Sequence, residues 1–226
     1  MKNRLKSIAA PKSWSIKRKK NIWTTKPKGS HKIEHCLPIA IILRDHLKHA
    51  KSRKELKNIV YRKGVLVDNR RIKDIRYGTG IMDIIEIPEI KEKYVVLVDK
   101  KGKLCLEKTE LKLKIAKIIG KKKIGKKMQL NLFGGKNVII EKDNFKVGDT
   151  VLLDLNDYGI KEHIKLAEGV SCMLLGGSHM GEFGKIRKIE GNKIIVTGED
   201  GSDFETLKKF VYVVGKDTPL VGANKK

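Results

Sequence analysis

Apolar positions follow a helical period in one part of the chain and a strand-like pattern in the rest, and each predicts a different kind of element. Ile39, Ile42, Leu43, Leu47 and Ala50 follow a 3.6-residue repeat and predict a helix over 38–50. Arg44, Lys48 and Lys51 fall at i, i+4 and i+7 on another face, so one side packs and the other is positive. Ser52 then stands three residues before Glu55, the spacing of a capping box, and opens a second helix that buries Leu56, Ile59 and Val60 and closes at Gly64. Arg53, Lys54 and Lys57 form its basic side. The pattern next turns to period two: Val65-Leu66-Val67 enters the polar turn Asp68-Asn69-Arg70-Arg71, and Met82 to Ile87 alternates again after Gly78 and Gly80. From about Tyr94 onward, short β-branched runs are separated by Gly, Asn and Asp, which predicts an all-β back half. Val95 to Val98 with Leu104 to Leu106 reads as a hairpin, and Val138 to Ile140 and Val151 to Leu153 as further strands.

Two of these regions are similar to known small domains. Two short helices, then V-x-V-D-N and a late G-x-M-D-I-I, resemble the αL-type RNA-binding domain named after bacterial ribosomal protein S4, over Ile39 to Ile87. Asn69 stands where many relatives have glycine, a substitution the turn survives because Asn tolerates positive φ. By that resemblance Arg44, Lys48, Arg53, Lys54 and Lys57 are candidate RNA contacts. Near the C-terminus, Gly177, Gly181 and Gly184, followed by Ile186, Ile189, the Gly191-Asn192 turn and Ile194 to Val196, describe a tight loop feeding an antiparallel hairpin. This resembles the KOW motif of ribosomal proteins and transcription elongation factors, with Gly177, His179, Gly181 and Gly184 as its loop. A phosphate-cradling loop would need a helix to follow, and a strand follows instead.

Charge adds a partner class. Lys+Arg 51 against Asp+Glu 26 leaves a formal +25 over 226 residues, which predicts a polyanionic partner. The excess is concentrated: Met1 to Ile33 contains no carboxylate, eleven Lys and Arg, and both tryptophans, Trp14 and Trp23. Interleaved rings and cations suit stacking and phosphate neutralisation on nucleic acid. A second acid-free block, from 111 to 140, holds Lys112, Lys114, Lys117, Lys121, Lys122, Lys123, Lys126, Lys127 and Lys136; a solvated loop and an RNA contact explain it equally well. No window approaches the roughly 18 apolar residues of a membrane span, and no secretory h-region is present, so a cytosolic protein without a membrane partner is expected. Cys36, Cys105 and Cys172 are far apart and read as buried thiols.

The sequence offers no catalytic constellation. G-x-S-x-G, H-E-x-x-H, C-x-x-C and paired carboxylates are all missing. His46 and His49 are spaced one helical turn apart but sit on a basic helix, where they read as surface groups rather than metal ligands. No enzyme activity, cofactor, metal or small-molecule substrate is expected.

Taken in order, Arg4-Leu5, Ile8-Ala9-Ala10-Pro11-Lys12-Ser13-Trp14, Lys26-Pro27-Lys28-Gly29 with His31, Leu43-Arg44-Asp45, Gly80 to Ile85 and the C-terminal loop resemble the S4e family of archaeal and eukaryotic small-subunit ribosomal proteins, over essentially the full chain. Its composition looks archaeal. The resemblance implies an α+β, multi-domain fold: a basic N-terminal extension at 1–37, the αL-type domain at 38–90, a central β domain at 91–168, and a KOW-type, SH3-like β-barrel with a tail at 169–226. It implies a structural constituent of the small subunit, in the cytoplasm, with small-subunit rRNA and neighbouring ribosomal proteins as partners. The RNA-binding set is then Arg4, Lys6, Lys12, Trp14, Arg18, Lys19, Trp23, Lys26, Lys28, Arg44, Lys48, Lys51, Arg53, Lys54, Lys57, Lys63, Lys185 and Arg187. Trp14 and Trp23 are expected to pack on bases or sugars, and the arm to be disordered until RNA orders it. A KOW-containing transcription or translation factor that binds transiently is the alternative, and an RNA-modifying enzyme lacks a segment large enough for its catalytic domain.

Overall fold

Short alternating runs of β-branched residues dominate the chain, and the computed structural model, which describes residues 4–141, 143–216 and 218–221, is accordingly mostly β with two short helical segments. The chain divides into two units: residues up to Leu97 together with Gly102–Glu110, and Val98–Lys101 together with the residues from Leu111 onward.

In the first unit, β1 (Leu5–Lys6) and β2 (Trp23–Thr24) form a two-stranded ladder in which Lys6 lies opposite Trp23. A 3-10 turn at Ile33–His35 leads into β3 (Cys36–Pro38), which pairs with Gly78–Gly80. The helix expected over 38–50 is therefore trimmed at its start, where the chain is already committed to a strand. Its regular part, α1, is Ile39–Ile41, continuing as a wider π turn through Ile42–His46. Leu47 N–H reaches the Ile42 carbonyl at 2.9 Å, His49 N–H reaches Leu43 at 2.8 Å, and Lys48 then leaves helical space at φ +57°. The apolar period survives the correction, because Ile39, Ile42, Leu43 and Ala50 are all buried. Lys48 and Lys51 are no longer on a helix face with Arg44.

The second helix forms as expected. In α2 (Arg53–Asn58) the Ser52 hydroxyl accepts the Glu55 N–H at 3.2 Å, and the Glu55 carboxylate reaches back to the Lys51 N–H at 2.8 Å. A π turn over Ile59–Gly64 carries it to β4 (Val65–Val67). Asp68 and Asn69 both adopt positive φ, +48° and +61°, as a two-residue hairpin turn requires, and return the chain as β5 (Arg70–Ile72). After β6 (Gly78–Gly80), strands β7 (Ile84–Ile87), β8 (Glu92–Val98) and β9 (Leu104–Lys108) complete a sheet of order β5-β4-β7-β8-β9.

Among the described residues the second unit has strands and no helix. Strands β10 (Leu113–Ile124), β11 (Lys127–Leu132), β12 (Asn137–Ile140), β13 (Thr150–Asp154) and β14 (Ile160–Ile164) form a sheet of order β12-β11-β10-β13-β14. It closes over Ala116, Ile118, Leu130, Leu132, Val151 and Leu153. Strands β15 (Ser171–Leu174), β16 (Phe183–Glu190), β17 (Lys193–Gly198), β18 (Asp203–Leu207) and β19 (Val211–Gly215) form another, of order β18-β17-β16-β15-β19.

The acid-free block at 111–140 is mostly the β10–β11 hairpin, which excludes the loop reading. Lys114 and Lys117, three apart, face opposite sides of β10, and because both faces are covered there they are only 2% and 7% exposed. Lys117 Nζ donates to the carbonyls of Val211 at 2.5 Å, Lys209 at 3.0 Å and Lys208 at 3.3 Å. Its backbone N–H donates to the Tyr212 hydroxyl at 3.1 Å, and that hydroxyl donates to the Ile115 carbonyl at 3.0 Å. Burial, with the Lys208 charge nearby, pushes the Lys117 ammonium down to about 8.

Candidate nucleic-acid interface

Trp23 is the one tryptophan turned outward. It is 49% exposed, whereas Trp14 is 2% exposed. The β1–β2 ladder sets it across from Lys6, and the Arg4 guanidinium lies 5.7 Å from its ring centroid, a cation–π distance. Clefts of about 540 Å3 and about 600 Å3 lie in this region, and both have Trp23, Thr24 and Arg44 in their walls. The smaller is otherwise walled by Arg4, Lys26, Arg53 and Arg76 with apolar Leu5, Ala40, Leu56 and Ile75 and the hydroxyl of Thr25, and no carboxylate lines it. The larger carries Lys17, Lys20, Lys48 and Lys51, with Asp45 as its single acid. Arg44, Lys48 and Lys51, expected on one helix stripe, thus meet around a cleft instead.

Three contacts fix the arm that carries this ladder. Trp14 is a core side chain: its Nε1 donates to the Ile33 carbonyl at 3.2 Å, so its expected stacking on bases is corrected by burial of the whole ring. Arg18 is spent internally as well, donating to the carbonyls of Ala10 and Pro11 at 2.6 Å each and, at longer range, to Ser7 and Ile8. His31 pairs with Asp83 at 2.8 Å, both side chains nearly buried, and Asp83 also accepts the Gly80 N–H at 2.8 Å. A Cβ at Gly80 would fall 2.0 Å from the His31 ring, so the glycine of the G-x-M-D string is the space His31 occupies. The backbone continues the attachment through Leu104 N–H to the Ser13 carbonyl at 2.8 Å and Lys28 N–H to Arg76 at 2.8 Å. The described arm is therefore part of the first unit, which corrects the expectation of an unanchored segment.

The remaining expected residues are distributed unevenly. Lys6, Lys12, Lys19 and Lys28 are exposed on the arm, with Lys26 half-buried beside the smaller cleft. Arg53, Lys54 and Lys57 are exposed on α2, and the Lys63 side chain lies outside the described residues. Arg44 is held by both carboxylate oxygens of Asp45 at 2.8 Å. In the second unit Lys185 is exposed and Arg187 is paired with Asp203.

The glycine loop behaves as packing. A Cβ at Gly181 would fall 2.3 Å from the Asp99 carbonyl oxygen, and one at Gly184 2.5 Å from that of Thr197, while Gly177 turns at φ +90°. His179 stacks on Phe204 at 4.1 Å and pairs with Glu182 at 3.0 Å. Nor do the histidines of the first helix look outward: His46 and His49 both bury an Nε2 without a partner, and burial lowers the His46 ring below its usual range. Among the described residues no group of three His, Cys, Asp or Glu is arranged to hold a metal ion.

Three residues were not legible as functional from the sequence: Arg76, His31 and Asp83. Arg76 lies within the turn from Asp74 to Tyr77, which carries no periodic signal. The His31–Asp83 pair had one available signal, the shared occurrence of K-P-K-G-x-H and G-x-M-D.

Known proteins match this arrangement along its length. The family model described as "Ribosomal family S4e" matches residues 90–160, and the "RS4NT (NUC023) domain" matches residues 1–34. The small ribosomal subunit protein eS4 of Methanosphaera stadtmanae is 41% identical over 228 residues, covering 96% of this chain and 94% of that protein. That of Methanococcus vannielii is 38% identical over 233 residues, with 96% of each chain covered. The crystal structure of the 30S ribosomal protein S4e from Thermoplasma acidophilum superposes with a TM-score of 0.69 at 30% identity, covering 83% of this chain and 98% of that one. Collinear identity at this level, from the arm to the last strands, means that the chain belongs to the S4e family of ribosomal proteins.

Proposed function

We propose that this chain is a structural constituent of the small ribosomal subunit that binds and stabilises folded rRNA in the cytoplasm. The observation that carries the reading is the 96% span over which it aligns with proteins named small ribosomal subunit protein eS4. The physical features agree with that role: a +25 chain and cations gathered around a half-exposed tryptophan. RNA contact is assigned to Arg4, Lys6, Trp23, Lys26, Arg44, Lys48, Lys51 and Arg53 on the first unit, with Lys12, Lys19, Lys28, Lys54 and Lys57 raising the local potential. Residues 38–90 are read as the αL-type domain and 169–226 as the KOW-type barrel, with Lys185 and Arg187 as its outward cations. Trp14, Arg18, Gly181 and Gly184 leave the contact set and become supports. Neighbouring small-subunit proteins are the other expected partners. Sedimentation tests the reading: the full-length protein should travel with the small subunit through a high-salt gradient. Release at moderate salt contradicts it and points to a transiently bound factor.

A further inference from the structure

We propose that the arginine-walled cleft beside Trp23 is a slot for one unpaired nucleotide of the rRNA, its base stacked on the indole and its phosphate held by Arg4 and Arg53. The inference rests on the rRNA-binding reading and specifies what that surface takes. Four observations carry it. The cleft is about 540 Å3, within the range of pockets that bury a single small ligand, and far too small for a duplex. Apolar side chains line it, Leu5 and Leu56 among them, against which the flat face of a base packs. No carboxylate is among its lining residues, and four of the five cations there are arginines, whose planar forks match phosphate bidentately. Arg44 and Arg76 have those forks engaged by Asp45 and Asp74, which leaves the phosphate to Arg4 and Arg53.

The neighbouring cleft differs in the way a strand path requires. Its cations are lysines apart from Arg44, point charges on flexible stems that neutralise a passing backbone without fixing a plane. Trp23 stands in both walls, so the strand crosses over it: one nucleotide turns into the arginine side, and the next phosphates run along Lys17, Lys20, Lys48 and Lys51.

The test uses the full-length protein and deproteinised archaeal small-subunit rRNA, with base-reactivity footprinting and ultraviolet cross-linking read by mass spectrometry. The expected result is a cross-link on the peptide containing Trp23 and protection of one unpaired base. Trp23→Ala should restore that base's reactivity and weaken binding roughly tenfold, the usual worth of one stacked base, while the surrounding backbone footprint persists. Trp23→Phe should regain the protection, and Arg53→Gln should weaken binding without exposing the base. If Trp23→Ala leaves every base protection unchanged while binding persists, the slot is overturned and the rRNA reading stands. If the wild-type protein fails to bind the rRNA at all, both fall.

Discussion

Two acid-free blocks of similar charge, one before Glu34 and one between Glu110 and Glu141, end in opposite roles. The first gathers cations around an exposed ring and uses Arg18, with Trp14 and His31, to hold itself in place. The second is a β-hairpin that drives Lys114 and Lys117 into the interior and leaves Lys122, Lys123, Lys126 and Lys127 exposed toward its turn. Lysine counts are the same kind of signal in both. What separates them is coverage: the start of β10 is buried on both faces, so lysines there are enclosed whichever side they take, whereas the arm has no long strand to enclose its cations.

The two tryptophans break the comparison most sharply. Trp14→Ala should destabilise the protein by about 3–5 kcal/mol in denaturant unfolding, because it removes a fully buried ring and its hydrogen bond to the Ile33 carbonyl. Trp23→Ala should shift stability by no more than about 0.5 kcal/mol, as expected at an exposed position, and act on RNA binding alone.

Lys117 gives the next largest effect, and one of unusual sign for a lysine. Its folded pKa, about 8, lies below the ordinary 10.5, so between those values the unfolded chain holds the proton more tightly and stability rises with pH. The full gain across that window is about 3 kcal/mol. Lys117→Met should flatten the stability profile above pH 8, read by chemical denaturation at a series of pH values. A profile unchanged by the substitution would mean that the buried amine stays charged throughout.

The smallest effect sharpens the contrast between the blocks themselves. Neutralising Arg4 and Arg53 should reduce the salt slope of rRNA binding by about 1 for each phosphate left without its cation, while Lys122→Gln with Lys123→Gln should leave it nearly unchanged. Equal slopes for the two pairs would put the hairpin on RNA as well.

Local chemistry was legible in the sequence and long-range pairing was not. The Ser52–Glu55 cap, the Asp68-Asn69 turn, the close of the second helical segment at Gly64 and the Gly191-Asn192 hairpin each depend on neighbours within a few residues, and each forms. The helix over 38–50 shortened because Cys36–Pro38 is claimed by β6, some forty residues onward, a competitor that periodicity does not register. Trp14 and Arg18 depart from expectation for one reason. Composition reports that rings and cations are abundant, but not that a ring has found Ile33 or that a guanidinium has closed a loop of carbonyls. The cleft beside Trp23 gathers residues from the arm, both helices and the segment before β6, so its parts were visible and its assembly was not.

Hydrogen exchange on the RNA-free protein tests most directly the claim that the arm is a folded platform presenting Trp23. The Ser7 amide, bonded to Ile22, and the Leu104 amide, bonded to Ser13, should be protected to a degree comparable with the β7–β8 ladder. Complete exchange of Ser7 and Leu104 at the earliest time point, with β7–β8 still protected, would contradict it and return the arm to a segment that only RNA orders.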